Sequence, residues 1–277
     1  MLAFVVPIKS RKVAKSWSNT CLLLERTARS ICHQTHPDFR MIVVCQERPE
    51  IKFEHPKIQY LEMNVDMPVP TTIVEKRVNK MHKIIAGICL AKASGCSHIM
   101  VTDGDDCVSK SLAGLVAQNQ SVNGYFLKAG YIYYGDHDVI KVMRKGFHHY
   151  CGTSHIIKSD LYDVSEKNLA RIPSSITSHY QIPQDIHDLY YCHRYFAGAL
   201  EAKGFKLEPL PFLGSIYVLS NGENLSSEDQ HTIEKRKRSS LKSRLLKLKA
   251  SLFDYRPLTP QLRDEFGFYD LELVNPS

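Results

Sequence analysis

Three carboxylates fall within four positions at Asp103, Asp105 and Asp106, broken only by Gly104, directly after the apolar run Ile99, Met100 and Val101. Like charges this close repel one another, so they persist in water or around a cation. Carboxylate oxygens are hard donors that suit Mg²⁺ or Mn²⁺, and such ions commonly join one or two protein carboxylates to substrate phosphates. Gly104 permits the tight turn that aims Asp103 and Asp105 to one side. An isolated Asp-Gly-Asp also makes an ordinary acidic turn. The strand in front of it favours the metal reading.

Other groups are less specific. Lys76, Arg77, Lys80 and Lys83 precede the acidic run, and Lys80 and Lys83 share a helix face by their spacing. A solvated surface is the plainer account of such lysines. His148, His149 and His155 have no cysteine or carboxylate partners at regular spacing, so zinc is not expected. None of the eight cysteines forms a C-x-x-C pair, and they read as reduced, packed thiols.

The elements that must position these groups alternate. Residues 2–7 and 41–45 are short apolar runs that read as buried parallel strands. Between them, residues 17–34 place Leu22, Leu23, Ala28 and Ile31 near helical spacing, with Ser16 or Ser18 as a cap. Residues 58–61 predict a third strand. Residues 71–94 carry a helical stripe through Met81, Ile84 and Ile85 that closes at Gly95, and residues 97–102 predict another strand. This order implies an α/β fold with a mixed, mainly parallel sheet flanked by helices and with ligands at the carboxyl ends of its strands. Beyond it the pattern predicts a short helix over 112–118, strands within 125–134, a helix over 185–203 and one or two strands within 205–218.

Taken in order, the strand Phe4-Val-Val-Pro7, the helix with Arg29 to Thr35, the strand at 41–45, the lysine-bearing helix and the strand ending in Asp103-Gly-Asp105-Asp106 resemble a nucleotide-sugar glycosyltransferase. The likeness is to the GT-A (Rossmann-like) fold in the style of glycosyltransferase family 2. It covers residues 2–111 and continues more weakly to 226. It implies a catalytic domain over residues 1–227. That domain would transfer a sugar from a nucleotide diphosphate sugar, UDP-linked, to an acceptor hydroxyl on a glycan, lipid or small molecule, with metal dependence and inversion.

The resemblance also implies roles for residues. Pro7 would line the nucleotide pocket, and Glu47 would replace the acidic residue that ends the second strand in many relatives. Lys83 would face the diphosphate or Asp103. Asp103 would contact the ribose or nucleotide and Asp105 the ion, with Asp106 replacing or assisting it; which two of the three hold Mn²⁺ or Mg²⁺ stays open. Gly152, Thr153 and Ser154 would pack against sugar and acceptor. Asp185 would be the general base, although a helix N-terminal carboxylate explains it equally, and His187 would approach the metal or diphosphate. A haloacid-dehalogenase-like phosphatase is a rival, but its D-x-D-x-[TV] signature fails at Cys107. A catalytically degenerate GT-A domain that binds a membrane surface or a protein is the other.

The chain of 277 residues has 36 Lys+Arg against 29 Asp+Glu, a formal charge of +7. Residues 234–249 hold eight basic residues against Glu234 alone, so the whole excess lies there and the remaining body is neutral. No nucleic-acid partner is expected. Leu241, Leu245, Leu248 and Leu252 form an apolar stripe on this basic, helical C-terminal extension within 228–277. Peripheral contact with anionic membrane through residues 234–252 fits that pattern, and so does docking of the stripe on the catalytic domain. No apolar run approaches the ~20 residues of a membrane span. Residues 1–8 precede rather than follow their basic neighbours, the reverse of a signal peptide. A cytoplasmic location, peripheral on the inner membrane face, is the expectation.

Overall fold

The computed structural model describes residues 1–63, 69–135, 138–173, 175–219, 221–223 and 254–271. The basic stripe expected over 234–252 lies outside the described residues. The central sheet starts with β1 (Leu2–Pro7), whose six residues are all buried. It continues with β2 (Phe39–Cys45), β3 (Ile58–Glu62) and β4 (His98–Val101). Later strands β6 (Gly124–Phe126), β9 (His155–Lys158) and β10 (Glu208–Pro209) complete it in the order β10-β6-β9-β4-β1-β2-β3. Pairings among β1 to β4 are parallel, and β9 runs antiparallel to both β4 and β6. The fold class is therefore the mixed, mainly parallel α/β arrangement read from the sequence.

A strand buried on both faces alternates its side chains between two cores. From β1, Leu2, Phe4 and Val6 meet Leu24, Ala28 and Ile31 of α1 (Trp17–Cys32) on one face. Ala3 and Val5 meet Met81, Ile84, Ile85 and Ile88 of α2 (Ile73–Ala93) on the other. Each fully buried Leu, Ile, Val, Phe or Met among them contributes about 1.5–3 kcal/mol by leaving water. Helix α2 starts at a reciprocal cap between Thr72 and Glu75, and it lies so close to the sheet that a Cβ on Gly87 would stand 2.4 Å from Val5 Cγ1. Ser16 caps α1 by accepting from Asn19 N–H.

A second sheet of five short strands has the order β12-β8-β7-β11-β5. Its members are β5 (Cys107–Val108), β7 (Gly130–Tyr133), β8 (Val139–Met143), β11 (Ser215–Val218) and β12 (Tyr255–Pro257). The Tyr-rich segment is thus divided between the two sheets. Helix α3 (Leu112–Gln118) falls on its predicted residues. After the four-residue α4 (Glu166–Leu169), the predicted helix over 185–203 is instead a series of short pieces. They are a turn, α5 (Gln184–Ile186), a π-helical segment (His187–Tyr191), a 3₁₀ turn (His193–Tyr195) and α6 (Phe196–Ala202).

The sequence sets residues after 227 apart as an extension, yet the described part, 254–271, is built into this body. β12 pairs with β8, and Phe266 and Phe268 are buried beside Cys107 and Val218. Helix α7 (Pro260–Phe266) is pinned where Lys110 donates to Asp264 and Ser109 to Glu265. Among the described residues no helix is long and apolar enough to cross a membrane.

Candidate functional site

The winding of the parallel strands reverses between β1 and β4, with β2 and β3 on the far side of β1. In such sheets the splayed carboxyl ends at the reversal open a crevice. An open pocket of about 310 Å³ lies there, walled by Pro7, Asp103, Gly104, Asp105, Lys80 and Gly152 among others. The structure therefore brings Pro7, Lys83, Asp103, Asp105 and Gly152 to one place.

The acidic loop divides its three carboxylates between two jobs. Asp103 Oδ1 accepts from Lys80 Nζ at 2.5 Å, and Asp105 Oδ2 accepts from the Asn221 amide at 2.7 Å. Both face the pocket. Burial and the neighbouring Asp103 charge push the Asp105 carboxyl above its ordinary value, against the opposing pull of Asn221 and Lys80. Burial alone would lower the Lys80 ammonium, but the adjacent carboxylates hold it above the usual lysine value.

Asp106 turns the other way and is 0% exposed. Its Oδ2 accepts from the Thr153 hydroxyl at 2.6 Å and from the Cys151 thiol, and its Oδ1 accepts from Val218 N–H at 3.0 Å. Burial, followed by repulsion from Asp105 and Asp103, raises its pKa well above the carboxylate range. The third carboxylate thus joins the loop to β11 instead of opening on the pocket.

Several other expectations are redistributed. Lys83, not Lys80, was expected opposite Asp103. It is 1% exposed and donates to the Ile8 carbonyl at 2.6 Å and to Gln46 Oε1 at 3.1 Å, bridging the ends of β1 and β2. Glu47 leaves the pocket to accept from Arg11 N–H at 3.2 Å. Thr153 accepts from Asp103 N–H while donating to Asp106, and Ser154 donates to the Cys151 carbonyl, so both hydroxyls are spent inside the loop. Asp185 lies outside the pocket wall in a two-pronged pair with Arg171, 2.8 Å at each oxygen, and that guanidinium lowers its pKa. A carboxylate so held is a poor proton acceptor. His187 Nδ1 pairs with Asp188 Oδ1 at 2.8 Å, also away from the wall.

Residues not assigned from the sequence complete the site. Glu223, 8% exposed, takes Lys9 Nζ at 2.8 Å and Ser16 N–H at 2.7 Å, closing the segment after β11 over the pocket. Asn221, which holds Asp105, accepts from the Glu223 N–H at 2.9 Å. His193 lines the pocket, and burial followed by the Lys80 charge lowers its pKa to about 4.

Among the described residues no group of three or more His, Cys, Asp or Glu side chains forms a metal cage. Two carboxylates facing one pocket, one raised by burial and then by the other's charge, do fit an ion of the Mg²⁺ or Mn²⁺ kind that takes its remaining ligands from phosphate and water.

Two expected outcomes arise here. A Cβ on residue 152 would lie 2.8 Å from Asp103 Oδ2. Gly152→Ala should therefore displace that carboxylate from Lys80, weakening binding of Mn²⁺ with a nucleoside diphosphate about tenfold while the free protein's unfolding is little changed. Calorimetric titration checks this.

The second concerns Lys83, whose pKa burial lowers to about 8. The unfolded chain then binds more protons between that value and ~10.4, so stability rises with pH through this window. Denaturant unfolding should show wild type gaining on Lys83→Met by up to about 3 kcal/mol across it. A constant difference would refute the buried charge.

No family model and no curated protein matches the chain. Among solved structures it is similar to the crystal structure of S. aureus TarS 1–349, with a TM-score of 0.44 and 9% identity, over 78% of this chain and 60% of that one. The chain thus spans less than two thirds of that protein's solved length.

Proposed function

We propose that the chain is a glycosyltransferase that moves a sugar from a UDP-linked donor to an acceptor hydroxyl, by displacement with inversion. The observation that carries this reading is that Asp103 and Asp105 both line a crevice at the β1/β4 reversal, beside Lys80, which donates to Asp103. Pro7 and Lys83 fix the floor on which the nucleotide would rest, since Lys83 ties the Ile8 carbonyl to Gln46. Lys80 and Arg77 line the space a diphosphate would fill, and a fixed ammonium there favours the charge that develops on the leaving group. Asn221 orients Asp105, and Gly152 leaves room for Asp103. Asp103 and Asp105 would hold Mn²⁺ or Mg²⁺, which when bound supplies Lewis-acid neutralisation of the diphosphate.

The test is a thermal-shift and hydrolysis screen of nucleotide sugars with and without Mn²⁺. A melting-temperature rise with UDP and Mn²⁺ together supports the reading. No rise with any nucleotide would sink it and leave the non-enzymatic binding module.

A further inference from the structure

Arg194 stands on the pocket wall with its charge unmatched. It lies in the 3₁₀ turn His193–Tyr195 and is exposed, so its guanidinium is at the mouth. Its Nε donates to the His149 carbonyl at 2.9 Å, which ties down one edge of the group. Among the described residues no carboxylate pairs with its two Nη nitrogens. Other arginines of the chain are matched, Arg11 by Glu50, Arg29 by Glu25, Arg171 by Asp185 and Arg263 by Asp270. An Nη pair left open is the planar fork that grips phosphate or carboxylate oxygens two at a time.

The remaining cations of the pocket are engaged. Lys9 pairs with Glu223 at 2.8 Å and Lys80 with Asp103 at 2.5 Å. Lys83 is turned to the Ile8 carbonyl and Gln46, while Lys76 and Arg77 have interactions of their own. A nucleotide sugar does not call for Arg194 either, because its diphosphate diester enters with a divalent ion and the two charges cancel. The anion that Arg194 matches then comes with the other substrate. His193, immediately before it, also lines the pocket, and its Nε2 is buried with no hydrogen-bond partner among the described residues. His193 feels the charges of Lys80 and Asp103, so it lies toward the ion and diphosphate, whereas Arg194 lies toward solvent. A hydroxyl bonded to His193 and an anionic group held by Arg194 describe one molecule entering from the mouth.

We propose that the acceptor is anionic: it carries a phosphate or a carboxylate close to its attacking hydroxyl, and Arg194 selects it by holding that group in the Nη fork. The acceptor role rests on the transferase reading; the anion site does not. The experiment uses the full chain with UDP and Mg²⁺ in place, so that the diphosphate site is filled. Glycerol phosphate and glucuronate are titrated calorimetrically against their neutral counterparts, glycerol and glucose, and the two arms tell phosphate from carboxylate.

At least one anion should bind about tenfold more tightly than its neutral counterpart, and more weakly as salt is raised. Arg194→Gln should lose about tenfold in that affinity while keeping the UDP–Mg²⁺ melting shift. Arg194→Lys, a point charge without the fork, should recover part of it. The proposal is overturned if neither anion is preferred or if Arg194→Gln binds it as wild type does. It is also overturned if that variant loses the nucleotide shift, or if it weakens UDP-glucuronate but not UDP-glucose, since Arg194 would then serve the donor. Anion binding that depends on Arg194, with no nucleotide shift in the wild type, would keep the anion site and remove the acceptor role.

Discussion

Asp105→Ala is expected to erase the melting-temperature rise that UDP and Mn²⁺ give together, and to lower sugar transfer by about a thousandfold. The reasoning starts from charge. Asp105 shares one wall with Asp103, whose charge adds to burial in raising its pKa, so the free site holds an unfavourable pair of like charges. A cation relieves that repulsion, and removing one carboxylate removes the reason to bind it. The same argument sets the sign for the free protein, because Asp105→Asn should melt no lower than wild type once the repulsion is gone. Loss of the ligand shift without loss of intrinsic stability separates a ligand residue from a structural one. A chelator should reproduce the effect in wild type. If Asp105→Asn binds UDP and Mn²⁺ as tightly as wild type, the assignment fails.

Asp106→Ala should do the opposite, costing about 3 kcal/mol of stability by urea denaturation. Its removal leaves the Thr153 hydroxyl and the Val218 N–H without the acceptor they use, and leaves a hole in a wall with no solvent access. Asp106→Asn should cost less, since one oxygen can still take the Val218 N–H. An unfolding midpoint unchanged in Asp106→Ala, together with a lost Mn²⁺ shift, would instead make Asp106 the ion's ligand.

That contrast between adjacent residues shows where sequence reading stops. The strands Leu2–Pro7, Phe39–Cys45 and His98–Val101 were legible because continuous apolar runs have few other homes, and Asp103 to Asp106 were legible as the loop they feed. Which carboxylate faces inward depends on the turn at Gly104 and on β11, which arrives from more than a hundred positions away. Spacing puts Lys80 and Lys83 on nearly the same face and does not say which of them meets Asp103. Gly87, one turn beyond Lys83, was the available signal: a glycine that packs against Val5 places Lys83 on the sheet side of α2.

Asp185 stands apart from the pocket lining, paired with a residue that the sequence pattern does not point to. Its partner Arg171 sits in a loop with no periodicity to reveal it. The second sheet escaped because strands as short as Cys107–Val108 and Tyr255–Pro257 carry no alternation to count.

Behind the acidic loop lie two thiols with an experimental use. Cys151 and Cys107 are both 0% exposed; burial raises the former far above an ordinary thiol and the latter to about 11. Neither offers thiolate to a reagent while the loop is closed. Alkylation at Cys151 therefore requires the Asp106 anchor to part from Cys151 and Thr153, so its labelling rate is a clock for the opening of the pocket wall. Donor binding that tightens that wall would slow the clock without any probe being attached to the site.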